Sequence, residues 1–193
     1  MTSLTKILAV FANPKGSNPL RLGEEDRTIR DCIRRARQRE NLVLKVLHAA
    51  HVRDLQLALL EDDYQVVHFS GHGTSDGRLV LEDVTGNPKF VSQAALASLL
   101  KEFPSIQCVL LNACYTVRPG EPIALGVPYA IAMEDAISDV AARYFTRGFY
   151  DAIGAGKDFR FAFRIGCNAI ALEGEVEDAS IPVLYDAAGI TKC

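Results

Sequence analysis

Short continuous apolar runs alternate along the chain with longer stretches in which apolar residues recur every three or four positions. The runs KILAVFA (6–12), NLVLKVL (41–47), QVVHFS (65–70), IQCVLL (106–111) and VPYAIAM (127–133) have the length and β-branched content of buried strands. Between them lie helical patterns over 24–39, 51–61, 93–102, 138–153 and 157–172. In the first, Ile29, Cys32, Ile33 and Ala36 share one face, and Glu24, Glu25 and Asp26 occupy the first turn, where the helix dipole favours acids. Ser92 and Ser138 stand where N-caps are needed. A small hairpin is expected over 78–82, with a turn at Gly86-Asn87-Pro88. Strands separated by helices predict an α/β fold, a mainly parallel sheet flanked by helices on both faces.

Composition adds limits. At 193 residues, 49% of them hydrophobic, the chain suits one domain spanning 1–193. With 21 basic against 24 acidic residues it lacks the basic surface that phosphate neutralisation requires, so no direct nucleic-acid partner is expected. The basic run from Arg30 to Arg39 reads as a solvated helix face. No run reaches the ~18 apolar residues of a membrane span, and the N-terminus lacks the layout of a secretion signal. Five scattered cysteines without a CxxC pair (Cys32, Cys108, Cys114, Cys167, Cys193) suit a reducing, cytoplasmic setting and argue against a disulfide framework or a zinc ribbon. Cys193 is expected to be exposed and incidental.

In parallel α/β sheets, reactive groups gather beyond the carboxyl ends of strands. Two of these ends carry them. One delivers Ser70-Gly71-His72-Gly73, and the other, 42 residues later, delivers Ala113-Cys114-Tyr115. A His and a Cys on neighbouring loops are the minimum for thiol catalysis, the imidazole taking the thiol proton and later protonating the leaving group. The amides of Gly73 and Cys114 are candidates for an oxyanion hole. Both residues also have plainer explanations, Cys114 as a small buried hydrophobe and His72 as a turn residue. His68, within a strand, is expected to be buried; with His72 it does not form a metal-ligand pair on one helical face. No phosphate-binding glycine motif is present.

The segments HFSGHG (68–73), LVLED (79–83), VLLNACYT (109–116) and VPYAIAMEDAISD (127–139), together with FANPKGSNPLRLGEEDRTIRD near the start and FYDAIGAG and GCNAIALEG near the end, resemble the CHAT family. These are caspase-like cysteine proteases of clan CD, related in fold to caspases and separases. The resemblance implies His72 as general base and acid, Cys114 as nucleophile, no metal and no organic cofactor. It further implies a cysteine endopeptidase with a protein substrate. Such proteases act as effectors of prokaryotic sensor or defence systems, and are often latent until a sensor or regulatory partner orders the site. Departures from the pattern are the short segment YTVRPGEPIALG after Cys114, the charged Glu134-Asp135, and the lack of a sensor domain on this chain. Two other classes fit the same residues, a non-catalytic interaction module and a thiol hydrolase of small substrates.

Glu134, Asp135 and Asp139 follow the strand after Cys114 and are candidate substrate-binding residues. A carboxylate there would favour Arg or Lys before the cleaved bond; capping or solvation is the plainer explanation. Asp76 or Asp83 could orient His72. Asn112 is expected to hydrogen-bond the backbone of the Cys114 loop, and Ser70 to close its strand. Phe159, Phe161, Phe163 and Ile165 read as core or a partner-facing patch.

Overall fold

Alternation along the central strands divides the core in two, and the computed structural model, which describes residues 4–114 and 125–193, shows both halves filled. In β1 (Thr5–Phe11), Leu8 and Val10 face one side while Ile7, Ala9 and Phe11 face the other, as the two-residue period of a strand requires. β2 (Leu42–Leu47), β3 (Val66–Ser70), β7 (Cys108–Asn112) and β8 (Tyr129–Met133) run parallel with it. β9 (Pro182–Asp186) and β10 (Gly189–Lys192) add antiparallel strands at one edge. The seven strands lie in the order β10-β9-β8-β7-β3-β1-β2. The predicted strands lie within one or two residues of their expected bounds; β9 and β10 were not anticipated.

Helices cover both faces. α2 (Val52–Glu61) and α3 (Gln93–Leu100) pack Leu55, Leu59, Leu96 and Leu100 against Leu8, Val67, Phe69 and Val109. α1 (Leu22–Arg35), α4 (Asp139–Gly154) and α5 (Phe159–Leu172) cover the other face through Ile29, Phe145, Phe149, Phe163 and Ile170. Ser92 and Ser138 cap α3 and α4 by accepting from Ala95 N and Ala141 N. Phe163 is core, and Phe159, Phe161 and Ile165 pack partly buried against it. The expected hairpin belongs to a separate antiparallel sheet of β4 (His72–Gly73), β5 (Leu79–Glu82) and β6 (Pro88–Val91). The basic stretch of α1 is a solvated face, with Arg30 on Asp26 and Arg34 on Asp31.

One expectation about the cysteines is corrected. Cys167 on α5 and Cys193 form a disulfide, so the C-terminus is tied to the helix layer and Cys193 is not a free thiol. The pairing joins positions 26 apart whose Cα atoms lie 5.5 Å from each other, a contact that only the return of β9 and β10 creates.

α4 and α5 meet through glycine. A Cβ on Gly148 would lie 2.6 Å from the Ile165 carbonyl oxygen, a backbone atom that cannot swing aside. Gly148→Ala should therefore destabilise the fold by about 1–3 kcal/mol, the usual cost of overpacking. Gly23→Ala, on α1 with nothing near the added carbon, should be neutral or stabilising. Urea denaturation of both variants checks the contrast.

Candidate active site

The last rung shared by β3 and β7 pairs Ser70 with Asn112. His72 and Cys114 each stand two residues beyond it, so the two loops leave the sheet side by side, from strands about 4.8 Å apart. Gly71 is the link. A Cβ there would meet the Ala12 carbonyl oxygen at 2.5 Å, because the end of β1 is pressed against this turn. Beyond it, His72 and Gly73 form β4 and pair with Val80 and Leu79.

His72 is oriented by the segment after β1. Its Nε2 donates to the Asn18 carbonyl at 3.0 Å and to Asn13 Oδ1 at 3.0 Å. With two oxygen acceptors on Nε2, the neutral ring carries its hydrogen there and keeps its lone pair on Nδ1. Burial holds the imidazole below its ordinary value, outweighing the Asn18 carbonyl, which acts in the opposite direction. A neutral ring at neutral pH is the form a base requires. The expected orienting groups are elsewhere. Asp76 accepts from Thr74 and Arg78, and Asp83 accepts from Thr85 and from the Thr85 and Asn87 amides of its own turn. The signal missed in the sequence is that β1 neighbours β3, so the NPKGSNP loop at its carboxyl end lies beside His72.

Cys114 is half-buried, its Sγ 3.6 Å from the Ile137 carbonyl oxygen. Cys32 and Cys108, the other free thiols, are buried. Burial, aided by Asp151, pushes the Cys32 thiol up to about 12, and burial raises Cys108 further still. Beside Cys114 lies a cavity of about 30 Å³ lined by Glu25, Ser70, Gly71, Asn112 and Asp139 among others. That volume is on the scale of one water.

Of the three acidic candidates, Asp139 alone lines this cavity; its Oδ1 accepts from the Arg21 amide at 3.2 Å. Glu134 is buried with one oxygen 2.6 Å from Lys192 Nζ. Asp135 is exposed and accepts from the Ala136 amide. Of the short segment after Cys114, positions 115–124, with the carboxyl-side neighbour Tyr115, lie outside the described residues.

A buried polar network under the two loops was not expected. Glu25, taken from its position for a first-turn dipole acid, turns inward at 3% exposure. Its carboxylate accepts from Ser70 Oγ, from Asn112 Nδ2 at 2.7 Å and from Thr146 Oγ1 at 2.7 Å. His68 is buried as anticipated, with Nε2 3.2 Å from Glu25 Oε1 and Nδ1 3.0 Å from the Tyr150 hydroxyl. Burial opposes ionisation of Glu25, but His68, Ser70 and Thr146 together hold its carboxyl below the usual range. Among the described residues, Asn112 Nδ2 therefore bonds Glu25, Thr146 and the Ala142 carbonyl of α4, and not the expected backbone after β7. Among the described residues no cluster of three metal-ligating side chains occurs, and no helix is long and apolar enough to cross a membrane.

Three solved structures with this architecture are cysteine proteases. A secreted C11 cysteine protease from Bacteroides thetaiotaomicron, solved with an irreversible peptide inhibitor, superposes with a TM-score of 0.65 at 12% identity, covering 96% of this chain and 67% of that one. The Arg-specific cysteine proteinase gingipain R gives 0.56 at 9% identity, over 91% of this chain and 44% of that one. The Drosophila initiator caspase Dronc gives 0.54 at 8% identity, over 97% and 81%. The chain thus has the fold of the caspase-like cysteine proteases. Residues 2–165 match the model of the CHAT domain, and the chain belongs to that family. No curated protein sequence matches it.

Thiol counting checks the cysteine assignment. The unfolded chain, purified without reductant, should titrate three thiols, and five after reduction. In the native state Cys114 should react with iodoacetamide well before Cys32 and Cys108.

Proposed function

We propose that this chain is a cysteine endopeptidase in which Cys114 attacks the peptide carbonyl and His72 moves the protons. The observation that carries the reading is that the one partly open free thiol follows the strand next to the one that leads to an imidazole, and that this imidazole is held by Asn13 and Asn18 through Nε2, which leaves Nδ1 as the basic nitrogen.

Each step follows from that arrangement. Nδ1 takes the thiol proton and Sγ bonds to the carbonyl carbon, whose oxygen becomes an oxyanion beside the amides of Gly73 and Cys114. The C–N bond breaks as the imidazolium protonates the departing amine, leaving an acyl thioester on Cys114. A water then loses its proton to Nδ1 and attacks the thioester carbon. The C–S bond breaks, the peptide acid leaves, and the imidazolium returns its proton to the sulfur, restoring the thiol and the neutral ring. No step calls for a metal or an organic cofactor. In this reading the substrate is a protein, and the chain is the cutting effector of a prokaryotic sensor or defence system, in the cytoplasm, under a regulatory partner. Family resemblance supports the effector role and the partner; the cytoplasmic setting rests on the scattered cysteines, and the Cys167–Cys193 disulfide counts against it. Asp139, partly exposed at the start of α4 whereas Glu25 is buried, is the acid we assign to a preference for Arg or Lys before the cut.

Cleavage of a diverse peptide library by wild type, Cys114→Ala and His72→Ala tests the assignment. Loss of about 10³-fold or more in both variants is expected, as for removal of a nucleophile or its base. Retention of cleavage in either contradicts it, as does small-ester turnover in the absence of any peptide cleavage.

The pH profile gives a second check. His72 has to be neutral to accept the proton, and burial lowers its value from 6.5. Activity should be complete above that value and fall only as pH drops through the lowered one. The acid limb of kcat/KM should have its midpoint below 6.5; a midpoint above 7 contradicts the assignment.

A further inference from the structure

The Glu25 network has no part in the chemistry above, yet it lies directly under both reacting groups. Removing a carboxylate from water costs several kcal/mol unless donors replace the lost hydration. Glu25 meets that requirement with three donors and the adjacent His68, at one place in the core. Two of the donors are Ser70 and Asn112, facing each other on the last common rung of β3 and β7.

That rung is where the backbone ceases to connect the two catalytic chains. Beyond Ser70 the chain joins the other sheet, His72 pairing with Val80, while the β3–β7 register stops at Asn112. The spacing between His72 and Cys114 is therefore set by how the ends of these strands are held. One carboxylate holds both. Glu25 also arrives on the helix that follows the 13–21 segment, whose Asn13 and Asn18 grip His72. A single stretch, 13–25, thus fixes the imidazole directly and both strand ends through Glu25. A simple structural salt bridge would not need both bonds to fall on the rung that precedes the reacting pair.

We infer that Glu25 is a positioning residue, clamping Ser70 and Asn112 so that His72 and Cys114 hold their reactive separation. The inference rests on the reading of His72 and Cys114 as the reacting pair. It requires no contact between Glu25 and substrate. Glu25→Gln keeps the shape but turns an amide donor toward groups that already donate. Ser70→Ala removes one arm of the clamp and leaves no buried donor unpaired, and Ser70→Thr restores the hydroxyl.

The test is the inactivation of the full chain by a peptidyl acyloxymethyl ketone, resolved into the maximal rate of Cys114 modification and the half-saturating concentration. Near-UV circular dichroism reports folding in parallel. In Glu25→Gln and Ser70→Ala the maximal rate should fall about ten-fold or more, since displacements near 1 Å cost up to 10²-fold. The half-saturating concentration should stay within about two-fold of wild type, because a positioning group does not bind the ligand. Ser70→Thr should return most of the lost rate. If Glu25→Gln does not fold, the two Ser70 variants decide the matter. A folded Ser70→Ala protein with the wild-type maximal rate overturns the clamp while leaving the dyad standing. Wild type that reacts no faster than His72→Ala overturns the dyad, and the clamp with it.

Discussion

Two adjacent parallel strands, β3 and β7, end on the same rung, and the candidate chemistry depends on that coincidence. Ser70 pairs with Asn112, and the chain needs only two further residues on each side to present an imidazole and a thiol. The sheet can end so because its interior strands are buried on both faces by two unequal layers, α2 and α3 on one side and α1, α4 and α5 on the other. Apolar packing fixes the strands. It does not by itself fix the loops beyond them.

The loops are fixed by polar contacts concentrated on one face. In β3 and β7 the positions turned toward α1 and α4 include His68, Ser70 and Asn112, while Val67, Phe69, Val109 and Leu111 fill the opposite face with hydrocarbon. The inward turn of Glu25 gives these groups a common acceptor. Thr146 from α4 and Tyr150 through His68 join it, so the network ties α1 and α4 to the sheet. Such a network specifies geometry through the bonds it completes: the Glu25 carboxylate is satisfied by three donors, while among the described residues Asn112 Oδ1 is left without a hydrogen-bond partner.

Much of the scaffold was legible in the sequence. The strands 5–11, 42–47, 66–70, 108–112 and 129–133 announce themselves by apolar runs closed by turn residues, and His72 and Cys114 follow from asking what the strand ends carry. The rest depended on contacts between distant residues. Glu25 in a first helical turn has a sufficient local explanation, and its bonds to residues 45, 87 and 121 positions away are created only by the fold. Asn13 and Asn18 look like turn residues until β1 is placed next to β3. The Cys167–Cys193 bond, closing the β9–β10 edge, has no motif at all.

The central claim is that Cys114 and His72 meet at a peptide carbonyl. A crystal structure of the chain with a peptide aldehyde tests it most directly. The account predicts a covalent bond from Cys114 Sγ to the aldehyde carbon. It also predicts His72 Nδ1 at about 3 Å from the adduct, with Nε2 still on the Asn18 carbonyl. An adduct on another cysteine, no adduct, or one on Cys114 with His72 Nδ1 turned away from it would contradict the account.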